Sequence, residues 1–234
     1  MSDPTGSSSR RDFMTNVGRL ASVAAITACA PTSAHGGATQ APAPATPAGE
    51  WDLSWLDKLT AATDRAVFDW PSSGDPADPI VLELAERYLD NCAVAYRPKT
   101  YEARVVLNIR TQAVAAALND TLWARYSLGA EYSIKDPNTK ELAVRNPYWH
   151  RAPSPAAGIT LPTIEDLLSR GALILVCDFA LGHLSNRLAT KFSRTASDVH
   201  RDLLGGFVPQ AYAVPSGIFG LARAQNAGCA LVRL

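Results

Sequence analysis

The chain has 234 residues, 47% of them apolar, enough for one globular domain or two small ones. Twenty-two Lys and Arg balance 22 Asp and Glu, so the chain lacks the basic footprint of a nucleic-acid-binding protein, and no nucleic-acid partner is expected. Four cysteines without a Cys-x-x-Cys pair disfavour a disulfide scaffold, a zinc ribbon or a thioredoxin-type motif, and no 18-residue apolar run predicts an ordinary transmembrane helix.

Residues 1–30 read as an export signal rather than as fold. Ser9-Arg10-Arg11-Asp12-Phe13-Met14 is a twin-arginine pattern, and a mildly apolar run from Leu20 to Ala28 follows it. Ile26-Thr27-Ala28-Cys29 has the form of a lipobox, which would leave a lipid anchor on Cys29. Ala28-Cys29-Ala30 equally fits an ordinary small-x-small cleavage site, which would discard it. Either route places the mature protein in the periplasm or cell envelope. Residues 31–49 are Ala/Pro/Thr/Gly-rich and read as a disordered linker.

Residues 50–234 alternate strand and helix. Trp51–Leu59 reads as a short helix packing through Trp51 and Trp55. Arg65–Asp69 is a β-rich run ending at Trp70-Pro71. Pro79–Tyr96 carries Val81, Ala85, Tyr88, Leu89 and Cys92 at helical spacing. Arg104–Ile109 is a continuous apolar strand. Gln112–Tyr126 follows as one helix, with Gly129 placed as its C-cap. Residues 130–160 break the rhythm and read as a long surface insertion with Tyr148-Trp149-His150 in its middle. Thr163 to Asp166 forms a capping-box pattern closed by Gly171. Leu173–Cys177 is the most apolar run and is predicted to be a central strand. Helices at Phe179–Phe192 and Ser197–Leu204, a strand at Gln210–Val214, a helix at Gly217–Ala227 and a strand at Cys229–Val232 complete the chain.

Five strands separated by helices predict an α/β fold: a single open, mostly parallel five-stranded sheet with helices on both faces. Ligands of such sheets bind beyond the carboxyl ends of the strands. Cys177 ends a central strand and precedes a helix, where the positive helix end favours thiolate over thiol. A buried, inert thiol is the competing reading. Asp178 opposes the thiolate if it faces the sulfur, or it serves as the helix N-cap. His183 lies about one and a half turns further on. Ser216 and Gly217 start another helix and would either cap it or hold an anion. Asn108 and Arg110 end the second strand, and Arg110 would pair with an anionic ligand or with a carboxylate. Cys92 and Cys229 read as packing residues. No ligand spacing joins His150, His183, His200, Cys177 and Asp178, so no metal is expected. Without a G-x-G-x-x-G or P-loop motif, no nucleotide cofactor is expected either, and no G-x-S-x-G elbow marks a serine hydrolase.

The segments Gly171-Ala-Leu-Ile-Leu-Val-Cys177-Asp-Phe-Ala-Leu, Gly206-Phe-Val-Pro209, Val214-Pro-Ser-Gly-Ile218 and Ala222-Arg-Ala-Gln-Asn-Ala-Gly-Cys-Ala-Leu231 together resemble the DsrE family. The resemblance covers roughly residues 64–234, with 130–160 as an insertion, and the twin-arginine leader resembles the family's exported branch. It implies a flavodoxin-like five-stranded sheet and homo- or hetero-oligomers. It also implies a persulfide on the strand-end cysteine, onto which only Cys177 maps. Two functions follow as expectations. One is a sulfane-sulfur carrier or sulfurtransferase using Cys177, with a small sulfur-containing or anionic ligand held near Ser216 and Gly217. The other is a non-catalytic envelope module that binds a small ligand or a protein partner through the strand-end crevice and Tyr148, Trp149 and His150.

Overall fold

Strand alternation sorts the apolar residues of the domain into two layers. A computed structural model describes residues 51–97, 102–150 and 161–233. The twin-arginine pattern, Cys29 and the 31–49 linker lie outside the described residues. Five strands, β1 (Asp64–Trp70), β2 (Ala103–Ile109), β3 (Leu173–Cys177), β4 (Ala211–Val214) and β5 (Ala230–Val232), form one sheet in the order β4-β3-β2-β1-β5. Every pairing is parallel. The expected open parallel α/β sheet, flavodoxin-like in its layering, is therefore present.

Helices lie on both faces. On one face, Ala66, Phe68, Val105, Leu107, Ile109, Ile174 and Val176 pack against α2 (Ile80–Ala95), α5 (Ile164–Ser169), α6 (Asp178–Phe192) and α7 (Ala196–Leu204). On the other, Val67, Val106, Leu173, Leu175 and Val214 meet α1 (Trp55–Thr60) through Trp55 and Leu59, and α8 (Gly217–Asn226) through Leu221 and Ala224. The division follows from handedness. The steps β1 to β2 to β3 to β4 all travel one way across the sheet, so right-handed crossovers put their helices on one face. The step from β4 back to β5 travels the opposite way and puts α8 on the other face.

Local signals account for the element ends. Thr163 caps α5 by accepting from the Asp166 N–H, while the Asp166 carboxylate accepts from the Thr163 N–H, completing the expected capping box. Gly171 (φ +83°) and Gly228 (φ +90°) turn α5 and α8 into the next strand. In each case the following N–H reaches back to the helix, Ala172 to the Leu167 carbonyl and Cys229 to the Ala224 carbonyl, both at 3.0 Å.

Two expected elements are corrected. The helix predicted over Gln112–Tyr126 is a 3-10 helix (Thr111–Ala117) followed by α3 (Asp120–Arg125). The break falls where Asn119 caps α3, accepting from the Leu122 N–H at 3.0 Å. The Asn146 amide donates to the carbonyls of Ala116 and Leu118 at 2.8 and 2.7 Å, satisfying the groups left by the interruption. Gly129 is not a C-cap: it lies within α4 (Leu128–Tyr132), where an added Cβ would sit 2.1 Å from the Ala143 carbonyl oxygen. The insertion after residue 130 is also less superficial than expected. Ile134, Ala143, Asn146 and Tyr148 are buried, and Tyr148 stacks edge-on against Trp70. Residues 151–160 lie outside the described residues.

Candidate functional site

The sheet order creates one place where adjacent strands send their chains to opposite faces. α6 leaves β3 for one face, and α8 leaves β4 for the other. Cys177 and Val214 are register partners, and the Phe179 N–H donates to the Pro215 carbonyl at 3.3 Å, so the two helix N-termini start side by side. Such a divergence leaves a crevice beyond the strand ends. A cleft of ≈ 370 Å³ opens there, lined by Cys177, Arg110, His183, Ser216 and Gly217 together with Phe179 and Ile218.

Cys177 is the N-cap of α6: its backbone is extended, and its sulfur accepts the Ala180 N–H at 3.4 Å. An N–H and the positive end of a 15-residue helix thus meet the sulfur. Cys177 is 5% exposed, although it lines the cleft. Cys229, 7% exposed, is packed in the layer under α8, where burial pushes its thiol up to about 11. Cys92 is half-buried on α2 rather than in the core, and all three of these cysteines are free.

Of the two roles left open for it, Arg110 takes the pairing with a carboxylate. Its guanidinium makes a two-pronged ion pair with Asp69, Nε to Oδ1 and Nη2 to Oδ2, both at 2.8 Å, while its side chain lines the cleft. Burial works to raise the Asp69 pKa, but the Arg110 hydrogen bonds and charge and the Asn108 amide hold it below the ordinary carboxylate value. The Arg110 pKa is raised in turn, chiefly by its hydrogen bond to Asp69, with the Cys177 sulfur also contributing. Gly217 is needed at the start of α8 because an added Cβ would lie 2.7 Å from Cβ and Cδ of Arg110. Ser216 caps α8, its hydroxyl accepting from the Phe219 N–H at 3.2 Å.

Two expected site residues do not reach the cleft. Asn108 is fully buried under α8. Its amide donates to Asp69 at 3.3 Å, while its Oδ1 has no hydrogen-bond partner and would lie 2.7 Å from a Cβ at Gly220. Asp178 is not the N-cap of α6. It is already helical and buried, and its carboxylate pairs with Nε2 of His200 on α7 at 2.8 Å. The acid expected to oppose a thiolate is thus bonded to a residue that does not line the cleft. His183 does line it, packed edge-on against Phe179.

The trio Tyr148, Trp149 and His150 is exposed only in part: His150 is exposed and Trp149 half-buried, while Tyr148 is withdrawn into the core. Tyr148 is 1% exposed and donates its hydroxyl to the Gly74 carbonyl; His150 stacks on Trp149 and pairs with Glu165. Several cleft residues were not singled out from the sequence, among them Phe179, Ile218 and Arg187. Phe179 and Ile218 are exposed apolar residues at the first turns of α6 and α8, and their positions next to Cys177 and Gly217 were the available signal. Arg187, one turn beyond His183, bonds Glu131 and Tyr132 from the 130s segment, a pairing the sequence does not announce.

Among the described residues no group of three or more His, Cys, Asp or Glu is gathered for a metal ion, and no helix is long and apolar enough to cross a membrane. No protein-family model matches the chain, and no curated protein matches it. A solved protein of unknown function from Methanobacterium thermoautotrophicum aligns with 73% of this chain and 99% of its own, at 14% identity and a TM-score of 0.35.

Proposed function

We propose that this chain is a sulfane-sulfur carrier of the cell envelope, loaded on Cys177 from a small anionic donor. One observation carries the reading: the Cys177 sulfur caps α6 in the wall of the cleft where two helix N-termini meet. The sequence resemblance to the DsrE family and the twin-arginine pattern support it. With thiosulfate as donor, the Cys177 thiolate attacks the outer sulfur. A Cys177–sulfur bond forms, the donor's S–S bond breaks, and sulfite leaves with the bonding electron pair. The protein is left with a persulfide anion, and no separate acid or base is consumed. The N–H groups at the start of α6 and Arg110, which lines the cleft, would offset the charge that passes through it.

A second reading draws on a different observation. The cleft mouth is apolar at Phe179 and Ile218, and Cys177 is only 5% exposed, which suits a binding module whose thiol is structural. Intact mass separates the two. After incubation with thiosulfate, the carrier gains about 32 Da, lost with reductant and absent in Cys177→Ser. If the wild type gains no mass and Cys177 resists alkylation in the native state, the carrier reading fails and the binding reading stands.

A further inference from the structure

A second cleft of ≈ 430 Å³ lies at the same edge of the sheet, beyond β1, and nothing above gives it a role. Its walls are the Ser72–Pro76 loop and the segment from Tyr132 to Lys135. The two clefts adjoin, because Gln112 lines both. Arg187 of the first also donates to the hydroxyl of Tyr132 in the second, at 3.1 Å.

The rims of the second cleft are tied down. Tyr148 donates to the Gly74 carbonyl at 2.9 Å, Ser73 donates to the Gln112 carbonyl at 2.9 Å, and the Ile134 N–H donates to the Gly129 carbonyl at 2.8 Å. Its lining contains one acid, Asp75, and one base, Lys135. The two form no ion pair with each other, and Lys135 makes no side-chain hydrogen bond or ion pair among the described residues. Asp75 Oδ1 accepts the Ala77 N–H at 2.8 Å, and Asp75 and Lys135 are both exposed. Opposite charges held apart on one cleft fit a zwitterion, whose ammonium would meet Asp75 and whose carboxylate would meet Lys135.

We propose that the two clefts form one elongated site for a zwitterionic, peptide-sized sulfur compound, with its sulfur end at Cys177 and its amino-acid end between Asp75 and Lys135. This rests on the carrier reading and names its donor class: a low-molecular-weight hydropersulfide. The Cys177 thiolate attacks the outer sulfur of R–S–SH, the S–S bond of the donor breaks, and R–S⁻ leaves while Cys177 keeps the S–H sulfur. Binding energy from the remote end orients the reacting sulfur, which thiosulfate is too small to exploit.

The test loads the protein from two donors, thiosulfate and glutathione persulfide, and in parallel measures binding of S-methylglutathione by calorimetry. Lys135→Ala and Asp75→Asn, the latter keeping the acceptor for Ala77, are each expected to slow loading from glutathione persulfide roughly tenfold and to weaken S-methylglutathione to the same degree. Loading from thiosulfate stays within about twofold. Equal losses with both donors, or no loss with either, overturn the elongated site. If neither donor loads the wild type, the carrier reading falls. The binding arm then decides alone: S-methylglutathione binding that depends on Lys135 and Asp75 upholds the site, and no binding to the wild type overturns it.

Discussion

Cys177 and Cys229 are almost equally hidden, at 5% and 7% exposure, yet they stand in opposite surroundings. Cys229 begins the approach to β5 inside an apolar layer, and burial raises its thiol to about 11. Cys177 ends β3 against an N–H, the start of a helix and the neighbourhood of a guanidinium. Solvent exposure alone therefore does not distinguish the two thiols. What separates them is which dipoles and charges face the sulfur.

The comparison breaks most sharply at the thiols themselves. Cys177→Ser is expected to abolish sulfur loading in the mass assay, and Cys229→Val to leave it intact; loss in both would erase the distinction. Next in size is Arg110→Met. It leaves the Asp69 carboxylate, 4% exposed, with only the Asn108 amide, and is expected to cost about 3 kcal/mol in urea unfolding. The pH dependence of stability sharpens the contrast further. Because the Asp69 pKa is lowered in the fold, its contribution is present above about pH 4 and is lost as the pH falls further. The Cys229 pKa is raised, so its contribution is present below pH 9.0 and is lost as the pH rises through about 11. Cys229→Val should lessen the alkaline loss, to which the raised tyrosines Tyr126 and Tyr132 also contribute from about pH 10, and keep the acid one, as thermal melts across pH would show. The smallest effect is expected from Gly217→Ala. Its Cβ would lie 2.7 Å from Cβ and Cδ of Arg110, which must shift while held by Asp69, for about 1–2 kcal/mol of stability and a change in loading rate.

The regular elements were legible because each depends on neighbours in sequence. Leu173–Cys177 is bounded by a turn glycine on one side and a helix start on the other, and it forms over those same residues. Cys177, Arg110, Ser216 and Gly217 were found because strand ends can be located without knowing the strand order. The order itself was not legible, nor was the reason the crevice falls between β3 and β4. What escaped depends on partners far along the chain. The two-pronged bond of Arg110 spans 41 residues to Asp69, and the bond from Asp178 spans 22 to His200. The period-four pattern over 112–126 predicted a single helix because Asn146, which satisfies the carbonyls at its break, lies 28 residues beyond Leu118.

The sheet order has a kinetic consequence. The first strand finds one neighbour, β2, across a short crossover, but its other neighbour is β5, and roughly 160 residues separate Ala66 from Ala230. The pairings among β1 to β4 span less chain, 39 residues from Asp64 to Ala103, 67 from Val106 to Leu173 and 37 from Ile174 to Ala211. The outer edge of β1 meanwhile keeps its backbone groups unpaired until a three-residue strand arrives to cover them. Of all the pairings, this one spans the most chain and is expected to close last, so a variant weakened at Ala230–Val232 would pass through folding with its sheet open on the side of its first strand.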